Sequence, residues 1–252
     1  KQMKNQIKVL LIEPPGGFIR LDRCMQSIDS WGGVFRFPLN LCRIAGHLLS
    51  LGYDVSFIDL QADNHANLER TLSDFRPDLC ILSCGYPSMK HDASTAGQIK
   101  QLLPKTHVST FGVAPTLMDG SFFYESQWGF PIPFDSIVVG GEPAFGYEHI
   151  LQEGLAKVGR QIVNSELEKE KSIQTQNGRK LFNPSLYRSP FNGSIQTYVE
   201  GSYGCPHNCT FCVVPKLYGR AFAKRTPEAI VMEMVQAVVS QGVQQISLWD
   251  EG

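Results

Sequence analysis

The chain has 252 residues, 42% of them apolar and 19% charged, with 23 basic against 24 acidic side chains. This composition excludes a disordered chain, and a formal charge of −1 lacks the basic footprint of a dedicated nucleic-acid binder. Apolar runs such as Ile7 to Ile12 and Ile230 to Met234 fall far short of the roughly 20 residues that cross a bilayer, and Lys1 to Gln6 shows no signal region, so a cytoplasmic protein is expected.

Ile7 to Ile12 reads as a buried strand, closed by Glu13-Pro14-Pro15-Gly16-Gly17. Pro38 opens a helix with apolar positions Leu41, Ala45 and Leu48, and Gly52 stands where a helix-ending glycine belongs. Val55 to Leu60 is a second strand, Leu68, Leu72 and Phe75 mark a helix face, and Pro77 precedes a third strand, Leu79 to Leu82. Ile99, Leu102 and Leu103 belong to a helix ending at Pro104. Val108 to Phe111 and Ile137 to Val139 are the fourth and fifth strands, followed by a helix over Tyr147 to Leu155.

Alternating strands and helices with apolar strands predict an α/β, Rossmann-like parallel-sheet domain over residues 1–160. Ligands in such sheets bind beyond the carboxyl ends of the strands. The loops to watch are therefore Pro14 to Gly17, Ser83 to Ser88, Gly112 to Pro115 and Gly140 to Pro143. The first loop is not G-x-G-x-x-G, and the chain has no G-x-x-x-x-G-K-[ST], which disfavours dinucleotide binding and nucleotide hydrolysis. Residues 161–193, where periodicity fades, read as a linker. Residues 194–252 then open with a strand, Ile195 to Val199, and continue with a helix started by Thr226-Pro227 whose apolar face is Ile230, Met234 and Val238.

Of the seven cysteines, Cys24, Cys42, Cys80 and Cys84 read as small buried hydrophobes. Cys205, Cys209 and Cys212 form C-x3-C-x2-C on a loop containing glycine and proline, a soft donor set for zinc or an iron-sulfur cluster. Structural zinc needs a fourth ligand. His207, between the first two cysteines, is badly placed to supply it, and no cysteine or histidine follows Cys212. Three ligands suit a cuboidal cluster with one open iron.

This loop, with Phe211 just before its third cysteine, resembles the radical SAM superfamily. The resemblance implies that Cys205, Cys209 and Cys212 hold a 4Fe-4S cluster whose fourth iron takes S-adenosylmethionine (SAM). Phe211 matches the aromatic that packs on the adenine. Asp250 and Glu251, after a strand over Gln244 to Trp249, stand where the family receives the methionine amino group, although Trp-Asp-Glu replaces the frequent Gly-Gly-Glu. The stretch after residue 193 matches only the N-terminal portion of a partial (β/α)6 barrel, so a fragment, or completion by another chain, is expected.

The front domain narrows the resemblance to the cobalamin-binding radical SAM enzymes, through Pro14-Pro15, Phe37-Pro38-Leu39, Gly52-Tyr53-Asp54-Val55, Asp59, Arg76-Pro77-Asp78 and Gly141-Glu142. The implied cobalamin positions are Pro14, Pro15, Gly16, Ser83, Gly85, Tyr86, Gly112, Val113, Gly141 and Glu142. No histidine follows strand one, and Asp63-Asn64-His65 follows strand two, so cobalamin without histidine ligation is implied. The implied chemistry is methyl transfer to an unactivated carbon through a 5'-deoxyadenosyl radical and methylcobalamin. A small-molecule or peptide substrate and an electron donor such as flavodoxin or ferredoxin go with it; no membrane or nucleic-acid partner is implied. Cys212-Val213-Val214-Pro215 with Gly219-Arg220 is also reminiscent of radical SAM methylthiotransferases, but their second cluster needs three N-terminal cysteines that Cys24, Cys42 and Cys80 do not match. A non-catalytic corrinoid- or cluster-binding fragment is the third reading.

Overall fold

The computed structural model describes residues 7–15, 19–20, 26–27, 36–123, 125–155, 160–165, 178–189, 191–220 and 222–250. Its main sheet contains β1 (Lys8–Glu13), β2 (Asp54–Asp59), β3 (Leu79–Ser83), β4 (His107–Phe111), β5 (Ser136–Val139) and β6 (Gln161–Asn164). All neighbouring pairs run parallel, in the order β2-β1-β3-β4-β5-β6. The helices between them are α1 (Leu39–Ser50), α2 (Leu68–Phe75), α3 (Met89–Leu102), α4 (Val113–Met118) and α5 (Pro143–Glu153), with one further helical turn, Glu125–Trp128, ahead of β5.

Successive strand side chains point to opposite faces of a sheet. Val9 and Leu11 therefore join one core with Ile44, Leu48, Tyr147 and Ile150 of α1 and α5, while Leu10 and Ile12 join another with Ala93, Ala96 and Ile99 of α3. Because both faces of β1 are covered, its sequence is apolar without alternation. Covering both faces also leaves the strand ends as the places where a ligand can meet the sheet.

Three features depart from the sequence expectation. Gln161–Asn164 adds a sixth strand where the linker was expected to begin; four residues bounded by polar sequence carry too little periodicity to reveal a sheet edge. The Gly112 to Pro115 loop turns into α4 after its first residue, since a proline in the first turn of a helix forfeits no intrahelical hydrogen bond. The last helix of this domain begins at Pro143, with Glu142 as its N-cap.

Residues 178–189 strap the chain to the first core. Phe182 stacks on Phe57 with ring centroids 4.0 Å apart, and the Tyr187 hydroxyl donates to Asp59 at 2.8 Å. Gly178 lies so close to α1 that a Cβ there would sit 2.2 Å from the Cys42 carbonyl oxygen.

The second unit comprises β7 (Gln196–Val199), α6 (Val214–Tyr218), α7 (Pro227–Gln241) and β8 (Gln245–Leu248), with β7 and β8 parallel. Thr226 caps α7, as its sequence predicts, by accepting from the Ala229 amide at 3.3 Å. The expected burial of Ile230, Met234 and Val238 needs correction. Val238 is half-exposed, Ile230 and Met234 are only partly covered, and α7 buries Glu233 and Ala237 instead. Glu233 draws that side inward because Arg179 and Arg225 both pair with it. No helix among the described residues is long and apolar enough to cross a membrane.

Candidate cofactor site

Parallel strands put the loops after β1, β3, β4 and β5 on one edge of the sheet. The strand order reverses between β1 and β3, and the crevice at such a point is where ligands enter these folds. Ser83 Oγ donates to Glu13 Oε2 at 2.7 Å, joining the two strand ends beside that crevice. Gly112, at φ +122°, lets β4 close on the β3 loop, since a Cβ there would lie 2.4 Å from the Cys84 carbonyl oxygen. The Gly140 amide donates to Thr116 Oγ1 at 3.2 Å, tying the β5 loop to α4. These contacts hold the loop backbones together as one platform.

The sequence-derived cobalamin positions separate by burial. Pro15 and Tyr86 are exposed, and Ser83, Gly85, Gly112 and Val113 are partly exposed. Pro14, Gly141 and Glu142 are buried, so they can shape the platform without presenting a side chain to a ligand. Gly16 lies outside the described residues, as does Cys24. A platform of small residues, proline and one exposed tyrosine, with no histidine in its loops, fits a broad flat ligand that takes no imidazole from the chain. The Asp63 carboxylate accepts from the His65 amide at 2.9 Å, an ordinary turn after β2.

The cysteine loop lies against this platform. Tyr203, Cys205, Val214, Leu217 and Tyr218 form a small apolar cluster, and Val113, the first residue of α4, packs against it. Cys205 is buried there, Cys212 is half-buried and Cys209 is exposed. All three thiols are free, and the Cys212 amide donates to the Cys209 carbonyl at 3.1 Å, curling the end of the loop. Among the described residues no three histidine, cysteine or acidic side chains converge on a single ion position. Three free thiols spread over one curled loop do not suit a single ion; they match the need of a cluster, in which each sulfur would take a different iron. Phe211 is 91% exposed, with its ring outside the apolar cluster. Cys42, Cys80 and Cys84 are buried as expected, and burial pushes the Cys80 thiol well up, which makes it inert.

Asp250 Oδ1 accepts from the Gly201 amide at 3.0 Å and from Ser202 Oγ at 2.8 Å, locking the end of β8 to the segment that leads into the cysteine loop. Glu251 lies outside the described residues.

Between platform and loop sits a group that the sequence reading missed. Arg43 of α1 is 2% exposed and pairs with Glu142 at 3.1 Å and with Glu200. It also donates to Asn40 and, at 3.0 Å, to the Tyr203 hydroxyl, while that hydroxyl donates to the Gly141 carbonyl at 3.3 Å. Burial alone would lower the guanidinium pKa, but Glu142 and Glu200 hold it well above the ordinary value. Burial raises the Glu142 carboxyl, against the pull of Arg43. The available signal was one arginine inside the otherwise apolar face Leu41, Ile44, Ala45 and Leu48.

No family model matches the chain. Over 231 residues it is 28% identical to the hopanoid C-3 methylase of Methylococcus capsulatus, covering 82% of this chain and 41% of that protein. A shorter match, 45% identical over 73 residues, covers 28% of this chain and 15% of the ribosomal protein uS12 methylthiotransferase of Opitutus terrae. Among solved structures, the radical SAM methyltransferase TsrM of Kitasatospora setae, with cobalamin and a 4Fe-4S cluster bound, superposes with a TM-score of 0.60 at 17% identity. That likeness, one of fold, covers 97% of this chain and 49% of the TsrM chain. The chain thus spans less than half the length of these relatives.

Proposed function

We propose that this chain belongs to the cobalamin-dependent radical SAM enzymes and is the cofactor-holding part of a methyltransferase acting on a carbon of a small molecule, a reading supported by its likeness to the hopanoid C-3 methylase and by the TsrM-like fold. The observation that carries this reading is the packing of Val113, at the platform, against the apolar base of the cysteine loop. It makes the cobalamin edge and the cluster loop neighbours. When bound, the cluster with SAM supplies a radical that removes a hydrogen atom, and cobalamin supplies a methyl carrier.

The chain's own residues would then divide the work. Cys205, Cys209 and Cys212 hold the cluster, the exposed Phe211 ring lies against the adenine, and Asp250 and Glu251 serve the methionine end of SAM. Pro15, Ser83, Gly85, Tyr86, Gly112 and Val113 support the corrin, while the buried Pro14, Gly141 and Glu142 fix its platform. Keeping both cofactors in adjoining sites shortens the transfer that follows hydrogen removal. The small-molecule class is supported by the hopanoid named for one relative and the tryptophan bound in another TsrM structure.

The methylthiotransferase reading rests on matches that cover between 22% and 37% of the chain, against 82% for the hopanoid methylase. The test that separates the two is SAM consumption by the anaerobically reconstituted protein. With a low-potential chemical reductant present in both arms to bring the corrin to Co(I), S-adenosylhomocysteine formed only when hydroxocobalamin is supplied supports the proposal; equal formation without it overturns it.

A further inference from the structure

We infer that Arg43 is a positioning residue that couples the two cofactor sites, so that filling the cysteine loop tightens binding at the sheet edge. The inference rests on the function proposed above. Its ground is a buried network whose members come from three distant parts of the chain.

Arg43 rises from an apolar helix face and meets Glu142 from the β5–α5 loop, and Glu200 and Tyr203 from the segment after β7. The Tyr203 ring also lies under the guanidinium, 4.3 Å from its carbon. The Tyr203 hydroxyl takes a hydrogen bond from Arg43 and gives one to the Gly141 carbonyl. One side chain therefore touches both the arginine and the backbone of the platform loop. Tyr203 also shares an apolar cluster with Cys205, two residues further on. Any displacement of the cysteine loop moves Tyr203, and Tyr203 cannot move without breaking a hydrogen bond to Arg43 or Gly141.

A merely stabilising contact could have been built from apolar side chains of the same volume, since buried ion pairs contribute little net stability for their desolvation cost. What a charged, directional network adds is one permitted arrangement of loop against platform. Without the cluster, the stretch from Cys205 to Cys212 rests on its apolar base and on the hydrogen bond from the Cys212 amide to the Cys209 carbonyl. With all three thiolates committed, Tyr203 is fixed, and with it the Gly141 carbonyl and the platform. Linkage then requires that the corrin, for its part, favour cluster retention by the same factor.

The test measures hydroxocobalamin affinity by equilibrium dialysis with cobalt counting, on cluster-free and cluster-loaded protein. In the wild type, cluster loading should raise affinity about fivefold or more, within the usual range of coupling between sites. Arg43→Met should bring the ratio to within about twofold of unity while retaining iron. Glu233→Gln, which weakens the other buried ion-pair group away from the platform, should keep the wild-type ratio and so separates coupling from general destabilisation. If Arg43→Met does not fold, Tyr203→Phe decides, because it keeps the ring and removes the hydroxyl. An unchanged ratio in the deciding variant, or a wild-type ratio of one with both cofactors bound, overturns the inference alone. A wild type that binds no cobalt overturns the function proposed above, and the inference with it.

Discussion

The Ser83 hydroxyl donates a 2.7 Å hydrogen bond to the Glu13 carboxylate, joining the carboxyl ends of β3 and β1 where the strand order reverses. Glu13 is 7% exposed, so this bond works in a setting poor in water. Hydrogen bonds to charged groups contribute about 1.5–3 kcal/mol. Ser83→Ala should lower the unfolding free energy in urea by that amount.

Two glycines at positive φ should respond differently to the same substitution. At Gly242, φ +66°, nothing lies within 4 Å of an added Cβ, so Gly242→Ala should cost about 1 kcal/mol from backbone strain alone. At Gly112 the Cβ would collide with the Cys84 carbonyl. Gly112→Ala should cost at least about 2 kcal/mol and force the β3 and β4 loops apart, with cobalt retention falling roughly tenfold. Denaturation curves and cobalt counts on the two variants check both parts.

The three cysteines differ in burial but should be equal in function. Cys205→Ala removes a buried thiol and should cost about 1 kcal/mol in the cluster-free protein, whereas Cys209→Ala, at an exposed site, should stay within about 0.5 kcal/mol of the wild type. Either substitution, or Cys212→Ala, should abolish the visible absorbance of the reconstituted cluster.

His107 supplies a pH dependence at the opposite edge of the sheet. Its Nε2 lies 2.8 Å from Ser136 Oγ, and burial lowers its pKa below the ordinary 6.5, with Asp135 opposing and Lys100 assisting the shift. A histidine pKa depressed by folding gives stability that is present above 6.5 and lost as pH falls through the folded value. Stability should therefore decline as pH drops below 6.5, with a slope contribution of up to about 1.4 kcal/mol per pH unit. His107→Gln should remove that contribution, measured by urea denaturation between pH 7.5 and about 5.

Much of the fold was legible because parallel strands covered on both faces must be apolar throughout, as Val9 to Ile12 and Leu79 to Leu82 are. The cysteine loop was legible because its three cysteines lie within eight residues of one another. The short strand β6 was not, since Gln161–Asn164 is stabilised by pairing with β5 and not by its own pattern. The face of α7 was misjudged for a related reason: Glu233 is buried by Arg179, 54 residues away, together with Arg225 just ahead of the helix. The Arg43 network was hidden by distance along the chain, since Arg43 and Glu200 are 157 residues apart. Phe211 and Asp250 lie beside the cysteine loop and the strand end that the sequence indicated, but Asp250 also fastens the chain locally through Gly201 and Ser202.

The most direct test of the central claim, that one chain carries adjoining cluster and cobalamin sites, is a metal count. The protein would be reconstituted anaerobically with iron, sulfide and hydroxocobalamin, desalted, and analysed for iron and cobalt. The account predicts about four iron atoms and about one cobalt per chain, with cobalt lost in Gly112→Ala. Iron near four without cobalt would contradict it, and iron near eight would give the chain to the methylthiotransferases.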